Sequence, residues 1–413
     1  MSPSLKLEPL LKSKSYLLFW ISSLLSNMGT WMQQVAQPWV VLSLSHSAMW
    51  VGIDSFAMNA PVWLFTLLGG TLADQKDRRK IILILQGIQF ICILLLLSLL
   101  ILGWLQVWMI ITISLLVGLT DALSMPAFQS IIPSLVEPKE IPKAVAYNSV
   151  QFNLSRLLGP AIAGVMIARY GAAACFGTNA ISYIPFFLSL YLINPKSKSK
   201  IEELPTAASA QVSKMGEFKR LILNRKVRTP LVSVLATNLF CGSLVTFSPV
   251  LIKDVFHSGV EGFGGAMAVF GLGGCVGAGI SLLPAPKLHL RDRISILSSL
   301  FLGFVLVAIS FDRNLFLLLL FLGIAGAAIT VSNVSANSFL QLVATNQTRG
   351  KMASLYQLSV HGGLSIGALF TGYVSTRIGI SHALFINGIA AILIQIFMLI
   401  GQPKSESDLL KKA

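Results

Sequence analysis

Gly69-Gly70-Thr71-Leu72-Ala73-Asp74-Gln75-Lys76-Asp77-Arg78-Arg79-Lys80 is the stretch that decides the fold. It lies between two apolar runs, 49–73 and 80–102. Each run is long enough to cross a bilayer, which takes about 20 residues. The backbone polar groups of such a run must be satisfied within the run itself, so both are helices. Barrel strands would instead show weak alternation over about ten residues. The charged turn between them stays outside the hydrocarbon and makes the pair a membrane hairpin.

Working outward, runs of this kind fill the chain. The sequence predicts twelve helices, at 16–44, 49–73, 80–102, 106–136, 142–168, 172–193, 229–252, 261–284, 293–311, 314–343, 351–375 and 379–401. Hydrophobic residues make up 54% of the 413 and charged residues 11%, too little charge to coat a soluble domain of this length. Residues 194–228, Lys-rich and containing Pro195 and Pro205, form a polar linker between two six-helix bundles, 1–193 and 229–413. Fold class is therefore an all-α membrane protein. The basic run before the first helix is similar to a signal peptide, but the apolar stretch contains Gln33, Gln34 and Gln37 and lacks a clear cleavage site. It reads as a retained first helix. Cys92, Cys175, Cys241 and Cys275 fall in apolar stretches without metal-ligand spacing and read as small buried hydrophobes.

The net charge of +15 reflects topology. Of 31 Lys and Arg residues, 26 lie in the tails, the linker and the loops on their side. Four (Arg169, Lys253, Arg313, Arg377) lie in the other set of loops, and Arg156 is inside a helix. Positive charge marks the cytoplasmic side, so both termini are expected there, in a bacterial inner membrane, with lipid and a small molecule as partners and no nucleic acid.

The quoted loop resembles the signature loop of the major facilitator superfamily. That resemblance implies two bundles related by an axis along the membrane normal. It also implies a cytoplasmic latch made by Gly70, Leu72, Asp74, Asp77, Arg78, Arg79 and Lys80. Small residues let helix two pack closely, and Asp74 can accept charge-assisted hydrogen bonds from Arg78 or a facing helix N-terminus. The competing reading is a basic loop that only sets orientation. Gly29–Ala36 in helix one, Asn148–Pro160 in helix five, and Arg349–Tyr356 with Ile366-Gly367 in the second half are similar to the transmembrane secretion effector subgroup, which contains the enterobactin exporters. In many relatives an Asp and an Arg stand where this chain has Ser124 and Phe128. Helix five also resembles an antiporter-type gate, with Asn153, Gly159, Pro160 and Gly164 retained and Ala146, Ser155 and Ala163 as small stand-ins. Ordinary small-residue packing is the alternative.

Ionisable residues within a span cost about 2.5–3.5 kcal/mol each, so the few present are candidates for function. Asp121 and Arg156 lie about 20 Å along helices four and five, at matching depth. The expectation is a pair in which Asp121 stands in, one turn away, for the Asp expected at 124. Protonation would then release Arg156 to a substrate; a static ion pair is the alternative. His361 is a further proton-coupling candidate. Trp31, Gln33, Gln37 and Trp39 in helix one are candidates to line a substrate cavity, or else bond helix to helix. Asp54 is a candidate for the cavity mouth, or a solvated helix end. The sequence has no phosphate-binding loop, metal-ligand spacing or nucleophile elbow. The expected function is thus non-enzymatic: a secondary active exporter of a siderophore or drug-like amphiphile, powered by proton antiport without a cofactor. An importer and a non-transporting membrane sensor are the alternatives.

Overall fold

The computed structural model describes residues 14–137, 140–193, 221, 223–282, 288–344 and 348–400. Twelve long helices form among them: α1 (Lys14–Ser45), α2 (Ala48–Gln75), α3 (Arg78–Ile101), α4 (Val107–Ile131, continued by a 3-10 turn Ile132–Leu135), α5 (Ile141–Tyr170) and α6 (Ala172–Leu192). The second six are α7 (Arg225–Asp254), α8 (Val260–Leu282), α9 (Leu288–Phe311), α10 (Leu315–Val343), α11 (Arg349–Ile378) and α12 (Ile380–Ile400). α7 starts at Arg225, four residues before the start expected at 229. Asn224 is the reason, because its side chain accepts the Lys226 N–H at 3.0 Å and caps the helix there. α7 is also interrupted by a π turn over Thr237–Cys241. Residues 194–220 of the linker, with Ile222, lie outside the described residues.

Six crossings in each half bring Lys14, Leu192, Arg225 and Ile400 to one face, here the terminal face; the other is the far face. The relation between the halves is visible in the far-face hairpins. His46, between α1 and α2, and His257, between α7 and α8, have φ of 51° and 49°. Gly171, between α5 and α6, and Gly379, between α11 and α12, have φ of 78° and 87°. Each pair takes the left-handed region at the equivalent corner of its half, and each glycine N–H closes the preceding helix on a carbonyl four residues back.

Nine of the described helices are long and apolar enough to cross a membrane on length and composition alone. The other three, α1, α2 and α11, carry polar side chains that two packed halves can shelter. The buried apolar core reports how those halves sit. On the far side it is one cluster, running from Val41 and Ile167 of the first half into Phe247, Phe263 and Leu306 of the second. On the terminal side it is divided. Tyr16, Ile82, Ile131 and Phe186 form one cluster within the first half, and Val227, Val234, Leu340 and Met352 form another within the second.

Close backbone approach seals the far side. A β-carbon on Gly52 of α2 would stand 2.6 Å from the Ala368 carbonyl oxygen of α11. One on Gly164 of α5 would run into the Ala268 nitrogen and Gly264 oxygen of α8. Trp39 of α1 stacks on Phe263 of α8, with ring centroids 5.0 Å apart, and Lys253 donates to His46 Nδ1 at 3.4 Å across the halves. Overpacking a tight contact costs about 1–3 kcal/mol. Gly164→Val is therefore expected to lower disulfide formation between His46→Cys and Lys253→Cys by roughly tenfold, read on a non-reducing gel. Unchanged cross-linking would mean that α5 and α8 do not hold this face shut.

Candidate functional site

The interior polar groups fall into three places. The first is at the middle of the bundle, where α1, α5 and α11 converge. Gly159 lets α5 come down on the Trp31 β-carbon, which brings Arg156, one turn earlier, over the indole at 5.8 Å from the ring centroid. Phe152, another turn back, meets Trp31 edge-on at 6.2 Å. From the second half, Tyr356 stands beside the Arg156 guanidinium, and His361 lies close enough to feel its charge. His361 Nδ1 lies 2.9 Å from Asn59 Oδ1 of α2. Because Asn59 donates its amide to the Ser55 carbonyl, its oxygen faces the imidazole, and Nδ1 carries the proton. The Trp63 indole N–H donates to Ser365 Oγ at 3.3 Å, a second link between α2 and α11. Behind Tyr356, its hydroxyl donates to the Asn333 carbonyl at 3.3 Å, and Asn333 Oδ1 accepts from Asn238 Nδ2 at 3.3 Å. Asn238 belongs to the π turn of α7; such turns frequently mark functional positions.

The second place lies toward the far face of the first half. Asp54 of α2 is only 4% exposed. Gln37 Nε2 donates to both carboxylate oxygens, at 3.0 and 2.9 Å, and Ser114 Oγ of α4 donates to Oδ1 at 2.6 Å. Gln33 extends the chain, donating to Gln37 Oε1 at 3.3 Å and accepting from Asn179 Nδ2 of α6 at 2.7 Å. Four helices are thereby tied to one carboxylate whose partners are all neutral. This corrects the expectation of a solvated helix end at Asp54. It also moves Gln33 and Gln37 from a cavity wall to helix-to-helix bonding, and Trp39 to the far-face seal.

The third place holds Asp121, and the expected pair with Arg156 is not made. Asp121 Oδ1 accepts from Gln89 Nε2 of α3 at 2.7 Å, and Gln89 Oε1 accepts from the Tyr183 hydroxyl of α6 at 2.9 Å. Thr30 touches Tyr183, whereas Trp31 carries Arg156. Adjacent residues on a helix point about 100° apart, so α1 separates the acid from the base. Ser124 donates to the Asp121 carbonyl at 3.3 Å.

At the terminal face, Asp77 caps α3 by accepting from the Arg79 and Lys80 N–H groups at 2.9 and 3.3 Å. Arg78 donates to the Ser130 carbonyl of α4 at 2.9 Å and Arg79 to the Tyr191 carbonyl of α6 at 2.8 Å. Both are helix C-terminal ends, where a cation is favoured. These bonds stay within the first half. Leu72 packs on its terminal-side core, and Lys80 is exposed. The side chain of Asp74 and the surroundings of Gly70 lie outside the described residues. In helix five, Gly159 packs on α1 and Gly164 on α8, Pro160 is buried, and Asn153 is exposed. Among the described residues no cluster of His, Cys, Asp and Glu is arranged to hold a metal.

The family described as transmembrane secretion effector matches residues 6–412. The staphyloferrin A transporter of Staphylococcus aureus is 28% identical over 381 residues, covering 91% of this chain and 93% of that protein. The enterobactin exporter EntS of Citrobacter koseri is 24% identical over 387 residues, covering 89% and 86%. Among solved structures, the nucleoside transporter NupG superposes with a TM-score of 0.72 at 13% identity, covering 94% of this chain and 98% of that one. The last likeness is one of fold.

Proposed function

The chain belongs to the transmembrane secretion effector family of the major facilitator superfamily, a family of membrane transporters rather than enzymes, and from that premise we propose that it exports a siderophore-like small molecule by proton antiport. The observation that carries the reading is the divided core. The halves share one apolar core on the far side and keep separate cores on the terminal side. Two rigid bodies hinged in this way can rock between a state sealed on one face and a state sealed on the other.

The basic loops assign the terminal face to the cytoplasm of a bacterial inner membrane, so the state described is the one that loads cargo from inside. Asp54 is the proton carrier in this reading. It lies two residues from Gly52, where α2 meets α11 in the far seal. Opening that seal gives water access to the carboxylate. Closing it again buries the group among neutral partners, where an ionised form without a counter-ion is costly and a protonated form is not. The outer solution thus loads the proton, and the antiport cycle closes when Asp54 releases it to the inner solution as cargo loads from the terminal face. The exporter among the relatives supports the outward direction.

The test is to delete the encoding gene and compare chelators in medium and cells under iron limitation. A chelator depleted from the medium and retained inside is expected. An unchanged profile would remove the siderophore, and reduced chelator uptake would reverse the direction.

A further inference from the structure

The middle of the bundle holds a cation without an anion. Arg156 makes no ion pair among the described residues; its neighbours are Trp31, Tyr356 and His361. The two interior acids described above are both committed elsewhere, Asp121 to Gln89 and Asp54 to Gln37 and Ser114. An unpaired guanidinium deep in a membrane protein is expensive to keep. A second observation points the same way from the other half. Asn333 is 2% exposed, and its Nδ2 is a buried donor with no acceptor among the described residues. Tyr356 links the two, standing beside Arg156 and donating to the Asn333 carbonyl. One half therefore contributes a cation without an anion, and the other a donor without an acceptor. Beside them, Trp31 and Phe152 form an edge-to-face aromatic wall.

We propose that this site binds an organic anion: its anionic oxygens sit on Arg156 and Asn333, and its flat apolar body lies against Trp31 and Phe152. Charge-assisted donation from a guanidinium suits a carboxylate or other planar oxyanion. Neutral and cationic molecules of the same shape leave the donors unanswered, or repel Arg156. Bridging the two halves also gives the cargo a grip on their relative position. The assignment rests on the transport reading for its role as a cargo site, but the binding chemistry can be tested apart from transport.

Purified protein in detergent is titrated with 2-naphthoate, 2-naphthamide and 2-naphthylmethylammonium, following tryptophan fluorescence and heat. The naphthoate is expected to bind at least ~10-fold more tightly than the amide, with the ammonium weakest. Arg156→Gln is expected to remove that preference, and Arg156→Lys to retain part of it. If Arg156→Gln does not give a monodisperse protein, Asn333→Asp carries the test, because a carboxylate there must weaken naphthoate selectively. Equal binding of acid and amide by the wild type, absence of binding by either, or a preference that survives these substitutions would overturn the proposal. Detergent holds no gradient, so a clear naphthoate preference with no chelator phenotype would overturn the export reading alone.

Discussion

Asp54→Asn is expected to give a folded transporter that exchanges cargo across the membrane but no longer responds to a proton gradient. Asparagine keeps the shape of the side chain and removes its titration. The hydrogen bonds from Gln37 and Ser114 can be largely rebuilt around an amide by turning Gln37, at a cost of about 1 kcal/mol. The loss expected in pH-driven transport is on the order of a hundredfold, with counterflow of labelled cargo retained. Everted vesicles given an imposed pH gradient supply the measurement. Gradient-driven transport at the wild-type rate would remove Asp54 from the coupling step. The same substitution at Asp121 is the control. Asp121 accepts from Gln89 of α3, which also donates to Thr120 of α4 and accepts from Tyr183 of α6, a chain within the first half, whereas Asp54 lies two residues from Gly52 at the contact with α11. Asp121→Asn therefore leaves the pH response in place.

The contrast between these two acids shows where sequence reading stopped. Hydropathy set the twelve spans, and their ends came within a few residues because charge and glycine cannot be carried far into hydrocarbon. The start of α7 was missed because one capping asparagine, Asn224, outweighs the polar character of Arg225, Lys226 and Arg228. Position along each helix was legible by counting residues, for Asp121 and Arg156 alike. Direction was not, since which side of α1 each faces depends on how three helices pack. Gln33 and Gln37, four apart, were readable as one face. Their partner Asp54 was not, because α2 contributes it from across a helix contact. The repeat between halves was equally hidden. His46 matches His257, and Gly171 matches Gly379, in backbone conformation, while the surrounding residues differ. The π turn that holds Asn238 left no pattern, since an extra residue in a turn does not change composition.

Transport of an anionic cargo is expected to show a second large effect, in its dependence on voltage. An anion leaving a cell that is negative inside moves with the potential, and so does a proton entering. Each charge is worth about 2.3 kcal/mol per 100 mV. An exchange of one proton for one monoanion moves two charges, so it gains about 4.6 kcal/mol per 100 mV, or roughly a thousandfold in the gradient it can sustain. Proteoliposomes with a potassium diffusion potential and no pH gradient test this directly. Cargo accumulation at steady state is expected to rise tenfold for roughly every 30 mV, the slope for two charges, against ~59 mV for one. A one-charge slope in the wild type would mean either a neutral cargo exchanged for a proton or an anion moving alone. Substitution at Asp54 separates those cases. In Asp54→Asn the anion's own charge remains, so the two-charge slope is expected to fall to one. A neutral cargo would leave no slope at all, and Arg156 would then have to be explained as part of the packing rather than as the seat of the cargo.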